Sequence, residues 1–183
     1  MPSTSPGTLL VAEPFLKDPH FSRSVVLLCE HGNEGSVGFV LNKGYKQQLS
    51  DLVPELRAKN WPLFYGGPVQ TDSLHFIHQY PRLIPGSREI KKGIWWGGDF
   101  STVIDLLKED SLEPARLRFF LGYSGWEQGQ LIEELQQNTW LTTDARASLV
   151  FYNKPQEIWN ETIKSMGEKY AMMVNFPIDP QLN

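Results

Sequence analysis

The chain holds one cysteine, Cys29, in 183 residues. A single thiol cannot close an intramolecular disulfide, and its scarcity suits a reducing compartment, so the cytoplasm is the expected location. Long apolar runs are missing as well. The N-terminal stretch MPSTSPGTLLVAEPF has no basic leader, and its apolar run, Leu9–Ala12, is too short for a signal peptide. No segment approaches the ~20 apolar residues needed to span a bilayer, so a membrane is not an expected partner. Charge of one sign is also scarce, with 17 Lys and Arg against 21 Asp and Glu and a formal net charge of −4. A dedicated nucleic-acid binder usually shows a basic face, so that partner is not expected. The densest basic stretch, Arg82, Arg88, Lys91 and Lys92, is broken by Glu89 and reads as a solvated loop. With no Gly/Ser-rich linker or composition shift, residues 1–183 read as one domain.

What is present is an ordinary globular composition, 40% hydrophobic and 12% aromatic. Short apolar runs bounded by turn residues predict strands at 9–12, 24–30, 36–41, 61–65, 73–80, 94–96 and 116–123. Residues 24–30 (SVVLLCE) do not alternate, which predicts a strand buried on both faces. The turn His31-Gly32-Asn33-Glu34-Gly35 then predicts a hairpin with the next strand. Helices are predicted over 50–59 with a break near Pro54, from Ser101 on Phe100, Val103, Ile104 and Leu107, and from Pro155 to Gly167. Ser124 and Glu127 have the spacing of a capping box, predicting a further helix from Ser124 to about Asn138. Residues 81–93 read as a loop and 147–152 as extended chain. FYGGPVQT (64–71) echoes WWGGDFST (95–102), as though two strands left the sheet by similar turns.

Three constellations invite a chemical reading. Gly66-Gly67 and Gly97-Gly98 permit close approach of a ligand, and Gly97-Gly98-Asp99 leads into a helix whose free N–H groups could hold an anion. Neither GxxxxGK[ST] nor GxGxxG is present to make that a nucleotide fingerprint. Ser124, in Gly122-Tyr123-Ser124-Gly125-Trp126, resembles a nucleophile elbow, but Trp126 stands where the second glycine belongs. Cys29, His31, His75 and His78 do not form a metal set. His75 and His78 are an odd number of residues apart on one strand and must face opposite ways. Cys29, inside an apolar run, reads as a buried small hydrophobe. Glu30 and His31, beside a glycine turn, are the better polar candidates.

The segments GTLLVAEPFLKDPHFSRSVVLLCEHGNEGSVGFVLNK (7–43), YGGPVQTDSLHFIH (65–78), GIWWGGDF (93–100), FFLGYSGWEQGQLIEEL (119–135) and the closing Pro180–Asn183 resemble the AlgH/YqgE family of bacterial proteins, in order and over nearly the whole chain. One departure is Lys43-Gly44, where the family often has a proline. The resemblance implies an α+β domain with a mixed, partly barrel-like sheet and a few packed helices. It carries over no catalytic residue and no cofactor, and the family's name comes from a proposed role in regulating alginate production.

The expectation from these residues is a non-enzymatic regulatory or ligand-binding protein without metal or cofactor. Its cleft would lie near Glu30, His31, Gly66, Gly67, Gly97, Gly98, Asp99 and Ser124 and would hold a small anion or a protein partner's acidic group. The alternatives are a hydrolase with Ser124 as nucleophile and His31 as base, and an indirect transcriptional regulator acting through protein contacts. The spatial expectation beneath the first reading is that the glycine corners meet in one hollow.

Overall fold

The computed structural model describes residues 4–178, so the closing Pro180–Asn183 motif lies outside the described residues. Ten strands are formed: β1 (Thr8–Ala12), β2 (Val25–Gly32), β3 (Gly35–Val40), β4 (Gly44–Gln48), β5 (Pro62–Tyr65), β6 (Val69–His78), β7 (Arg88–Lys91), β8 (Ile94–Trp96), β9 (Leu117–Trp126) and β10 (Trp140–Asp144). The helices are α1 (Leu49–Leu52), α2 (Phe100–Lys108), α3 (Gln130–Gln136), α4 (Ala147–Val150), α5 (Ile158–Ser165) and α6 (Glu168–Ala171).

The strands form one sheet in the order β10-β1-β2-β3-β9-β6-β8-β7, and β4-β5 joins through a parallel pairing of β5 with β9. All other pairings are antiparallel, so the sheet is mixed. It curls into a partial barrel whose open seam is bridged by side chains. Lys91 on β7 pairs with Asp144 on β10 at 2.8 Å, and Arg88 on β7 pairs with Glu30 on β2 at 3.0 Å. The expected α+β, partly barrel-like fold is therefore the one observed.

Three apolar clusters account for the unalternating strands. Leu9, Val11, Leu27, Cys29, Phe39 and Phe120 fill the concave side under α4 and α5. Leu10, Val26, Leu28 and Val40 pack on the opposite face with Trp126, Trp140 and α3. Phe76, Leu117, Phe119 and Leu121 pack outward against α1 and α2. Both faces of β1 and β2 are thus covered, which is why TLLVA is buried at every position.

Several sequence expectations need correcting. Ser124 does not cap a helix: β9 runs on through Trp126, and α3 begins only at Gln130, six residues after Ser124 and behind the left-handed Gly129. Residues 147–150 are helical rather than extended, because a four-residue apolar run fits either state and packing decides. The 81–93 segment contains β7, and β4 and β10 were not anticipated. The 50–59 helix is split. Val53 is extended ahead of Pro54, so α1 stops at Leu52 and a single 3-10 turn follows. The two Gly-Gly echoes also diverge, one entering β6 and the other starting α2.

Candidate functional site

The centre of the sheet is a backbone crossing built from glycine. In the first half of β9, Phe120 faces the concave cluster while Phe119 and Leu121 face outward. Tyr123 packs on the concave cluster again, only three residues after Phe120. Regular strand alternation forbids that spacing, and Gly122, at φ +68°, makes the inversion. Beside this bend Gly66 and Gly67 leave β5 and pass between β3 and β9. The Val40 amide donates to the Gly66 carbonyl, and the Gly66 amide to that of Leu121. A Cβ on Gly66 would stand 2.3 Å from the Gly122 carbonyl oxygen, and one on Gly67 2.2 Å from the Tyr123 backbone. Only glycine allows the chains this close.

Ser124 belongs to that crossing. It is fully buried, and its hydroxyl donates to the Gly66 carbonyl at 3.0 Å. Its burial closes it to substrate, and among the described residues no histidine hydrogen-bonds to it. His31, expected as its base, instead meets the Oγ of Ser36, its cross-strand neighbour, at 2.8 Å from Nδ1. The nucleophile-elbow reading is overturned by burial.

Above the crossing lies an open cleft of about 830 Å³ between the β2–β3 turn, the start of β6 and the end of β9. Glu30 and His31 line it, joined by Glu34, Ser36, Val37, Val69, Tyr123, Trp126 and Glu127. Of the lining residues only Glu30 and His31 are named for a site from the sequence; Glu127 reads there as half of a capping box. The signal available was the three-residue interval from Phe120 to Tyr123 around a glycine, which places Tyr123 on the concave side. Trp126 is held rigidly: its indole N–H and that of Trp140 both donate to Oε2 of Glu134, at 2.9 and 2.8 Å. Three carboxylates line the cleft, with no lysine or arginine. Arg88 reaches one of them, Glu30, from outside. Glu34 and Glu127 form no salt bridge among the described residues.

The third corner lies apart from this cleft. Gly97, Gly98 and Asp99 contribute nothing to its lining. The Gly97 amide donates to Phe76 and the Asp99 amide to Pro85, and Ile84 packs where a Gly98 Cβ would be. Asp99 itself caps α2, accepting from the Thr102 hydroxyl and amide at 2.5 and 2.9 Å. Those bonds hold its carboxyl below the usual carboxylate range. A resident carboxylate therefore occupies the helix start that was expected to hold an anion. The glycine corners do not converge: Glu30 and His31 open on the cleft, Gly66, Gly67 and Ser124 form the packed crossing, and Gly97 to Asp99 serve α2.

The other titratable groups have structural partners. His75 lies tilted against Phe39 and edge-on to Tyr123, whereas His78 lies beside Phe76, so the two do face opposite sides. His78 is fully buried, and its Nε2 lies 2.9 Å from the Gly97 carbonyl while Nδ1 accepts the Tyr80 amide at 3.0 Å. That fixes the Nε2–H tautomer. Cys29 is buried, and desolvation pushes its thiol far above the ordinary value. Among the described residues no group of three His, Cys, Asp or Glu could hold a metal ion, and no helix is long and apolar enough to cross a membrane.

Comparison with known proteins places this arrangement in context. A family model described as AlgH-like matches residues 9–171. A UPF0301 protein of Cytophaga hutchinsonii is 42% identical over 178 residues, covering 97% of this chain and 98% of its own. One of Bacteroides thetaiotaomicron is 38% identical over 180 residues, covering 98% and 91%. Among solved structures, the AlgH protein of Pseudomonas aeruginosa superposes with a TM-score of 0.73 at 26% identity, covering 97% of this chain and 98% of that one. A Corynebacterium diphtheriae protein superposes at 0.80 with 20% identity, a likeness of fold, covering 95% and 93%.

Proposed function

The chain belongs to the AlgH-like family, and from that premise and the geometry above we propose that it is a non-enzymatic binding protein whose cleft takes a small, positively charged polar molecule. The observation that carries this reading is the composition of the cleft. Glu30, Glu34 and Glu127 line it without a lysine or arginine, and the half-buried Tyr123 offers aromatic surface beside them. Carboxylates attract an ammonium or guanidinium group, and an aromatic face adds roughly 0.5–1 kcal/mol to an exposed cation. The sign is opposite to the anion expected from the glycine turns, because those turns are spent on packing.

The reading is non-catalytic because the cleft's one hydroxyl–imidazole pair, Ser36 and His31, has its serine buried within the hairpin. A ligand held there would act by changing a partner contact, and the wider setting of this reading is an indirect regulatory role in the cytoplasm. The floor of the cleft is fixed by the Gly66–Ser124 lock, and the Glu34 side sits on a turn. Ligand-driven change would therefore be confined to the β2–β3 turn.

Thermal unfolding in the presence of arginine, putrescine or choline, set against citrate and inorganic phosphate, tests the proposal. At least one organic cation should raise the midpoint in a concentration-dependent way, and Glu34→Gln with Glu127→Gln should reduce the gain. Equal or greater stabilisation of the same variants by the cations would remove the cleft as their site.

A further inference from the structure

A second cavity, of opposite electrical character, lies where the Asp18–His20 turn meets the start of β4. It is a shallow, open hollow of about 420 Å³ lined by Pro19, His20, Lys43, Gly44, Tyr45, Lys46 and Tyr65. We propose that this cavity binds a small planar anion of the nucleoside monophosphate class, the base stacking on the aromatic rings and the phosphate meeting Lys43 and Lys46. The site is separate from the acidic cleft, so it goes beyond the reading above and stands or falls without it.

Three observations carry the inference. First, the lining combines flat rings with ammonium groups and contains no carboxylate. Base–aromatic stacking contributes about 1–3 kcal/mol per base and tolerates any base, since every base has a π face. Second, the wall is held in place before any ligand arrives. The His20 and Tyr65 rings lie nearly parallel, 18° apart with centroids at 6.0 Å, and Nδ1 of His20 meets the Tyr65 hydroxyl at 2.6 Å. The Asp18 carboxylate accepts the His20 amide at 2.8 Å and fixes the turn.

Third, Lys43 is tethered rather than mobile. Its ammonium donates to the carbonyls of Pro19 at 3.1 Å and His20 at 2.9 Å, leaving one of its three N–H donors for a ligand. Partial burial lowers its pKa, with Asp18 opposing that shift, as expected of an ammonium short of counter-charge. Burial raises the Tyr65 phenol, with lesser contributions from Asp18 and Tyr45, so Tyr65 stays a neutral donor across the physiological range. β4 supplies the far wall: all five of its residues are exposed, and among the described residues it pairs with β5 alone, leaving Tyr45 and Lys46 facing solvent.

The volume suits a small molecule rather than a peptide, and the test separates the chemistries. Two-dimensional amide NMR on the full chain is recorded with adenosine 5′-monophosphate, adenosine, inorganic phosphate and an oligoglutamate peptide in turn. Tyr45→Ala and Lys46→Gln serve as variants, because both side chains are exposed and their spectra report folding directly. The expected result is saturable movement of His20, Lys43–Lys46 and Tyr65 signals by the monophosphate, with weaker binding of adenosine and of phosphate. Each variant should weaken the monophosphate by about fivefold or more, equivalent to about 1 kcal/mol. The proposal is overturned if the monophosphate leaves these signals unmoved, if phosphate alone binds as tightly, if only the peptide binds, or if Tyr45→Ala has no effect.

Discussion

The hydroxyl of Ser124 donates to the carbonyl of Gly66 at 3.0 Å, across 58 residues of sequence and with neither group open to solvent. This bond ties the end of β5 to β9 at the point where the sheet changes partners. It also lies between the two cavities: Tyr65, next to Gly66, lines the basic one, and Tyr123 and Gly125, flanking Ser124, line the acidic one. The residue that most resembles a nucleophile in the sequence is thus a fastening.

Replacing Ser124 with alanine is expected to cost about 1 kcal/mol of stability and no chemistry. The Gly66 carbonyl keeps its bond from the Val40 amide, so the full penalty of an orphaned acceptor is not incurred. Denaturant unfolding checks the size of the loss. A serine-directed fluorophosphonate should label the native protein and the alanine variant equally.

Gly66→Ala and Gly67→Ala should be far more damaging than their size suggests. Each new Cβ would meet backbone atoms at 2.3 or 2.2 Å, and backbone cannot swing aside as a side chain can. A loss of more than about 3 kcal/mol, or failure to accumulate folded protein, is expected. Gly44→Ala is the control: nothing lies within 4 Å of its Cβ, and a change within about 0.5 kcal/mol is expected.

Acid should weaken the fold through His78. Burial depresses its pKa in the native state, and protonating Nδ1 would cost the bond it accepts from the Tyr80 amide. The unfolded chain then binds a proton below about pH 6.5 that the native chain refuses, so stability falls as pH drops through and below that value. His75, also lowered by burial, adds to the same slope. Urea midpoints between pH 8 and 5 should fall less steeply in His78→Gln than in the native chain, and parallel slopes would assign the effect elsewhere.

Cys29 should resist modification while the protein is folded. Its side chain is buried in the concave cluster, and desolvation keeps it a thiol through the range where free cysteine ionises. A disulfide exchange reagent at pH 8 should react with less than a tenth of the native protein in the time that denatured chain reacts completely. Rapid native labelling would mean that β2 opens readily.

The apolar strands, the β2–β3 hairpin, the covering of both faces of β2 and the opposed histidines were legible in the sequence, because burial writes itself into uninterrupted Val, Leu and Phe. Two of the strands that escaped are polar. β4 (GYKQQ) is exposed throughout, and β7 is held by one buried residue, Ile90. Site geometry was legible only in part. Glu30 and His31 line an open cleft, but a glycine that admits a ligand and one that admits another strand look alike in sequence, and here Gly66 and Gly67 admit β9. The same ambiguity lies behind the expected anion: helix-start amides suggested one, and Asp99 occupies those amides.

An amide NMR titration of the native chain with arginine addresses the central claim most directly. Signals of Glu34–Val37 and Tyr123–Glu127 should move together to saturation, and the movement should be lost when Glu34 and Glu127 are both changed to glutamine. If citrate moves those signals and arginine does not, the acidic cleft is not a cation site and the account is wrong.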